Sequence, residues 1–237
     1  MKTAILTGAN GQLGGEFLAT LRGQGYLVYA VDKNISRIGN DELVKPIQLD
    51  ITNEPDVNKL FSNLKYLDIL INNAGIGVYT PFEERTVDEF RMVMDVNLLG
   101  PFLMAKNAIK IMKKQAYGKI VNIGSIYGIK SSDERIYGDS GRNNSEVYSA
   151  TKAGIIQMTK YLATHFGKYN IQTNCISPGG IYNDQNPEFV ENYEFRTPAG
   201  RMGNPKDISN VLKFLIDNNS EYINGHNIVV DGGFSAW

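Results

Sequence analysis

Thr3-Ala4-Ile5-Leu6-Thr7-Gly8-Ala9-Asn10-Gly11-Gln12-Leu13-Gly14 is an apolar run that ends in a glycine turn. Gly8, Gly11 and Gly14 permit a tight turn, a close backbone approach to a pyrophosphate and close packing of the next helix, which directs its amides at the anion. A glycine pattern by itself can also be a structural strand-to-helix turn, so the residues downstream decide its meaning. Asp32 stands at the end of the second apolar run, 18 positions past Gly14. A carboxylate there accepts hydrogen bonds from the adenine ribose hydroxyls and repels a 2′-phosphate, which favours NAD. Lys33 beside it is a cation able to tolerate that phosphate, so NADP stays possible.

Working outward, short apolar runs predict strands at Thr3–Thr7, Leu27–Val31, Ile47–Leu49, Ile69–Ile71, Lys119–Ile123, Gln172–Ile176 and Asn227–Val230. Helical periods fill Gln12–Arg22, Asp56–Leu64, Val87–Val96, Phe102–Lys114, Val147–Phe166 and Pro205–Ile216. Thr86 with Glu89 reads as a capping box, and Asn204 before Pro205 as a cap followed by proline at the first helical position. Strands alternating with helices imply right-handed crossovers. The expected fold is α/β: one Rossmann-type, doubly wound parallel sheet of about seven strands with helices on both faces, spanning residues 1–237.

Composition narrows the function. The 24 basic and 25 acidic residues are interspersed for a net charge of −1, so neither nucleic acid nor a membrane surface is expected as a partner. The first strand starts too early for a leader peptide, and no stretch of ~18 apolar residues occurs. A cytoplasmic location is therefore expected. Cys175, the single cysteine, lies in an apolar run and reads as a buried structural thiol.

Tyr148-Ser149-Ala150-Thr151-Lys152 carries the chemistry. Residues four apart share a helical face, which places the Lys152 ammonium near the Tyr148 hydroxyl to favour its phenolate. A phenol tuned toward neutral pH suits proton exchange with alcohols and ketones. Tyr29 and Lys33 have the same spacing, but a strand and its exit would not bring them together.

The ordered set resembles the short-chain dehydrogenase/reductase family over nearly the whole chain. Its elements are the glycine turn, Asp32, Asp50-Ile51, Asn72-Asn73-Ala74-Gly75, Asn97, Ser125, Tyr148 with Lys152, Pro178-Gly179 and the closing Asp231-Gly232-Gly233. The resemblance implies a tetrad. In it, Tyr148 exchanges the proton, Lys152 lowers the tyrosine pKa and holds the ribose, Ser125 bonds the reacting oxygen and Asn97 anchors a water relay. Gly100-Pro101 is read as a local helix break that frees a backbone group for that water. The implied cofactor site comprises Gly8, Asn10, Gly11, Gln12, Leu13, Gly14, Asp32, Asp50, Ile51, Asn73, Ala74, Gly75, Tyr148, Lys152, Pro178, Gly179, Ile181 and Asn183. Asp50 and Ile51 flank the adenine, Asn73 approaches the nicotinamide-side ribose, and Ile181 contacts the carboxamide.

The chain departs from the family pattern in three places. Gln12 stands where the smaller branch usually has glycine, as in the sugar-nucleotide-modifying branch. Asn183 stands where a threonine often binds the carboxamide. Ser125 and Tyr148 are 23 positions apart, wider than is usual in the family. The extra polar segment, 130–146, is expected at the active-site mouth, where Arg135 and Arg142 would clamp a phosphate or carboxylate beside Tyr137, or else remain solvated. Residues 182–201 read as a short substrate loop. Parts of the chain, such as Ser177-Pro178-Gly179-Gly180-Ile181-Tyr182, are similar to members acting on bacterial surface sugars, including flagellin glycans.

These readings favour an oxidoreductase acting on a sugar or related polyol, sugar phosphate or nucleotide sugar. An NAD-retaining epimerase or dehydratase and a cofactor-sensing binding protein are the alternatives. Helix 147–166 has apolar or small residues on more than one side, and Trp237 ends the chain. Both imply a homodimer or homotetramer.

Overall fold

The computed structural model describes residues 1–138 and 144–237. Seven parallel strands, β1 Thr3–Thr7, β2 Leu27–Asp32, β3 Val44–Gln48, β4 Ile69–Asn72, β5 Gly118–Ile123, β6 Ile171–Pro178 and β7 Asn227–Val230, form one sheet in the order β3-β2-β1-β4-β5-β6-β7. The order reverses between β1 and β4, so the loops leaving those two strands part there and open a crevice at the strands' C-terminal ends.

Side chains alternate across the sheet with a period of two. Ala4, Leu6, Ile69 and Ile71 pack with helices α1 Gln12–Gly23 and α7 Pro205–Ile216. Ile5 and Leu70 face the opposite layer. That layer contains α2 Glu54–Ser62, α4 Gly100–Gln115 and part of α5 Glu146–Phe166. Buried Lys119 of β5 donates to the carbonyls of Leu215 at 3.3 Å and Asp217 at 2.5 Å. A cation is favourable there, at the carbonyl end of α7.

Both predicted caps form. Thr86 and Glu89 close a capping box on α3 Val87–Met94, and Asn204 caps α7 ahead of Pro205. Gly100-Pro101 does not break the helix. The chain passes from α3 through one wide turn, Asp95–Leu99, directly into α4. Pro101 lacks the N–H that would reach back four residues, so the turn widens while the axis continues. Gly100 serves packing, since a Cβ there would meet Ile51 Cδ1 at 2.5 Å.

β3 and the 182–201 stretch differ most from expectation. β3 starts three residues earlier than its apolar run because Pro46 and Lys45 belong to it. A proline is tolerated there because β3 is an edge strand. The 182–201 stretch contains a further helix, α6 Pro187–Arg196, which buries Tyr193.

Candidate active site

At the end of β1 the chain turns through Gly8 at φ +65°, the left-handed region open to glycine. A Cβ on Gly14 would collide with the Gly8 carbonyl oxygen and lie 2.8 Å from Ala9 Cα. The turn is tied to the end of β4. Asn73 Nδ2 donates to the carbonyls of Thr7 and Gly8, both at 3.0 Å, and the amides of Asn73 and Ala74 donate to Thr7 Oγ1.

Asp32 is held by two backbone amides, Asn10 N and Asn34 N, each at 3.0 Å. Lys33 turns away to pair with Asp50 at 3.0 Å. Asp50 also accepts from the Thr52 amide and hydroxyl, and these bonds together with Lys33 outweigh burial and hold its carboxyl below the usual range. A cavity of about 330 Å³ runs along this wall, lined by residues that include Gly11, Gln12, Asp32, Asp50, Ile51 and Ala74. Glycines at the turn, a fixed carboxylate at the second strand end and a cavity between them fit an adenine dinucleotide.

A second cavity of about 390 Å³ adjoins it, and Leu13, Asn73, Gly75 and Ile76 border both. Ser125, Tyr148, Lys152, Pro178, Gly179 and Ile181 line this one. Ser125 follows β5, while Tyr148 and Lys152 project from α5, whose first turn is capped by the Ser145 hydroxyl. Burial pushes the Tyr148 phenol above its ordinary value, and a hydrogen bond with Ser125 pulls the other way. Lys152 is 5% exposed. Burial lowers its pKa to about 8. Its Nζ lies 5.5 Å from the Tyr148 ring centre and donates to the Ile123 carbonyl at 2.8 Å.

Asn97 sits in the wide turn beneath this cavity, 1% exposed. It clasps Ile76 in both directions, accepting from its amide and donating to its carbonyl at 2.8 Å, and donates to Thr151 Oγ1 at 3.2 Å. A buried chain, Asn72 to Asn122 to Thr159, further ties β4 and β5 to α5. Sequence reasoning missed Thr151, Asn122 and Thr159, because their role comes from partners 37 to 54 positions away.

On the substrate side Arg135 follows the solvated reading and not the clamp. Arg135 is exposed and paired with Asp133 at 2.9 Å, outside the residues lining the cavity. The same carboxylate binds Arg196 of α6, so this ion-pair cluster joins the loop to that helix. Arg142 lies outside the described residues. Tyr137 does line the cavity, with Tyr127 and Phe189. Its hydroxyl is 3.3 Å from that of Tyr127, and its ring is 5.3 Å from Phe189.

Among the described residues, Lys152 is the one charged group in the lining. Asn10 and Asn183 fall outside both linings. Asn10 organises the turn by accepting from Arg37 N. The Asn183 amide donates to Gln185 Oε1 at 2.7 Å, and Gln185 takes the lining position. The same cap-then-proline signature that marks α7, Asn186-Pro187, could have revealed α6 and its aromatic wall.

A family model described as enoyl-(acyl carrier protein) reductase matches residues 14–235. The 2-dehydro-3-deoxy-D-gluconate 5-dehydrogenase of Formosa agariphila is 37% identical over 187 residues, 76% of this chain and 67% of that protein. The 3-oxoacyl-acyl-carrier-protein reductase FabG of Rickettsia bellii is 35% identical over 98% of this chain and 96% of its own. The crystal structure of a short chain dehydrogenase from Leptospira borgpetersenii with bound NAD+ superposes with a TM-score of 0.94 at 43% identity, covering 99% of this chain and 92% of that one. With the serine, tyrosine and lysine gathered beside a dinucleotide-shaped cleft, these matches show that the chain belongs to the short-chain dehydrogenase/reductase family of oxidoreductases.

Proposed function

We propose that the chain is an NAD-preferring dehydrogenase/reductase acting on a hydroxyl or keto group of a small polar substrate, a sugar or sugar derivative. The observation that carries this reading is that the cavity lined by Ser125, Tyr148 and Lys152 shares Leu13, Asn73, Gly75 and Ile76 with the cavity along the nucleotide wall. Tyr79, Tyr127, Tyr137 and Tyr193, with Asn144 and Gln185, line the rest. Hydroxyl and amide groups on aromatic walls suit a polyol, which presents hydroxyls at its edge and C–H groups on its face. The likeness to a dehydrogenase of a deoxygluconate supports a sugar-derived substrate.

Gly8, Gly11 and Gly14 would hold the pyrophosphate, Asp32 the adenine ribose, Asp50 and Ile51 the adenine, and Asn73 the second ribose. The nicotinamide, when bound, supplies or accepts the hydride. Tyr148 takes or returns the hydroxyl proton. Ser125 donates to the reacting oxygen and favours the phenolate. Lys152 adds positive charge beside the phenol and holds the ribose. Asn97, fixed by Ile76, anchors the water relay that carries the proton onward. The Lys33 to Asp50 pairing leaves the Asp32 carboxylate to oppose a 2′-phosphate, which supports NAD preference.

Residues 130–146 and 182–201 serve as the mouth and cover of this single unit. It assembles as a symmetric dimer or tetramer through α4 and α5, which leave Phe102 47% and Tyr161 55% exposed beside a groove containing Ile109 and Met158. Trp237, 75% exposed, packs at a subunit contact. Among the described residues no helix is long and apolar enough to cross a membrane.

A panel of polyols, uronates, phosphosugars and a short 3-oxoacyl thioester, followed by NADH absorbance, tests the reading. Turnover of a sugar-derived compound, lost in Tyr148→Phe, is expected. Turnover of the thioester alone would replace the sugar assignment, and light scattering at 26.3 kDa would remove the oligomer.

A further inference from the structure

Gln12 makes a contact that none of the roles above uses. It is the first residue of α1, and its Nε2 donates to the Tyr182 carbonyl at 2.6 Å across 170 positions of chain. One end of this bond borders the nucleotide cavity, which Gln12 lines. The other adjoins Ile181, in the wall of the catalytic cavity. Leu13, next to Gln12, borders both. The bond therefore crosses the cleft beside the passage joining the two cavities, where the middle of any molecule filling both must lie.

The strap on the far side keeps its shape by other means. Tyr182 N donates to Gly203 O at 2.8 Å, and Gly203 N to Gly180 O at 2.9 Å. Gln185 braces it from within, Nε2 to Ile181 O and Oε1 from Asn183 N, both at 2.7 Å. Gly180 N donates to the buried Tyr193 hydroxyl. With these backbone groups already satisfied, the Gln12 bond is free to act on the width of the cleft rather than on the fold of the strap. Its acceptor is a backbone carbonyl, so Gln12 is the side chain on which the tie depends.

We propose that Gln12 is a clasp: its bond to Tyr182 holds the glycine turn and the 180–185 strap together over the pyrophosphate and slows release of the dinucleotide. The proposal rests on the NAD-binding reading above. A neutral hydrogen bond of this kind corresponds to a factor of roughly 3 to 10 in dissociation rate.

The test is stopped-flow displacement of NADH by excess NAD, read by nicotinamide fluorescence, for the parent chain, Gln12→Met and Gln12→Ala. Methionine keeps the length and bulk of glutamine and removes the donor. Release about 3- to 10-fold faster in both variants, with an unchanged unfolding midpoint for the cofactor-free chain, is expected. A parental release rate in Gln12→Met overturns the clasp alone. A parent chain that binds no NADH overturns the functional reading and the clasp with it.

Discussion

The two walls of the cleft are built from different materials. On the nucleotide side the shaping groups are largely backbone: a left-handed Gly8, a Gly14 with no room for a methyl group, and amides of Asn10 and Asn34 fixing Asp32. On the substrate side they are side chains. Tyr193 stacks on Phe234 at 4.5 Å, Tyr137 meets Phe189, and the Tyr127 and Tyr137 hydroxyls face each other. A backbone wall tolerates few substitutions and binds one kind of ligand. A wall of side chains can be re-cut without disturbing the sheet, which is where a family with a shared cofactor can vary its substrates.

The sharpest way to separate the walls is at the group between them. Tyr148→Phe removes the acid/base and should lower turnover by ~100- to 10,000-fold while NADH binding, measured by calorimetry, survives. Near-parental turnover with normal binding would remove Tyr148 from its role. Burial holds the phenol above its ordinary value, so the phenolate needed for alcohol oxidation becomes more abundant as pH rises. Oxidation should therefore climb with pH. Ser125→Ala, by deleting the bond that lowers this pKa, should move the climb to higher pH besides slowing the reaction.

Next in size is Gly14→Ala. The added methyl meets the Gly8 carbonyl and Ala9, backbone atoms that cannot swing aside, and overpacking of this kind costs about 1–3 kcal/mol. Urea unfolding should show that loss, with weakened NADH binding. Unchanged stability and affinity would show the nucleotide wall to be more yielding than its geometry implies.

Tyr193→Phe probes the other wall. It removes the acceptor for Gly180 N and leaves this half-buried amide without its partner, a loss of about 1–3 kcal/mol at most. The expected result is a raised KM for substrate with NADH affinity nearly intact. An equal loss in both would mean that the walls are mechanically one. Smallest is the cofactor preference: NAD should bind more tightly than NADP by at least ~1 kcal/mol by calorimetry, from the Asp32 carboxylate with Lys33 held by Asp50. Equal affinities would show Lys33 leaving Asp50 for the phosphate.

Legibility in the sequence followed the same division. The glycine turn, Asp32, and the Tyr148 and Lys152 pair could be read because a left-handed turn, a strand end and a helical face are local properties. β3 looks short in the sequence because Pro46 argues against a strand until the strand is known to lie at the edge. Arg135 stays open between a clamp and a solvated side chain in the sequence because charge type in a loop says nothing of direction; in the fold Asp133 holds it at the surface. The Lys152 position near Tyr148 was legible, but its donation to Ile123 O was not, since that carbonyl arrives from a strand 29 positions away.

By itself the sequence determined the alternation of strand and helix, the parallel doubly wound sheet, the dinucleotide turn and the identity of the tyrosine and lysine. The sheet rests on the alternation of periods along the chain, the turn on backbone freedom at its glycines, and the tyrosine and lysine on helical spacing joined to the ordered family motifs. Tertiary structure alone decided that Asn97 binds Ile76, that Gln185 rather than Asn183 lines the cavity, and that Gln12 reaches Tyr182. Those pairings are set by which loops the sheet order brings to one crevice, and by which polar groups remain to be satisfied once the apolar faces are buried.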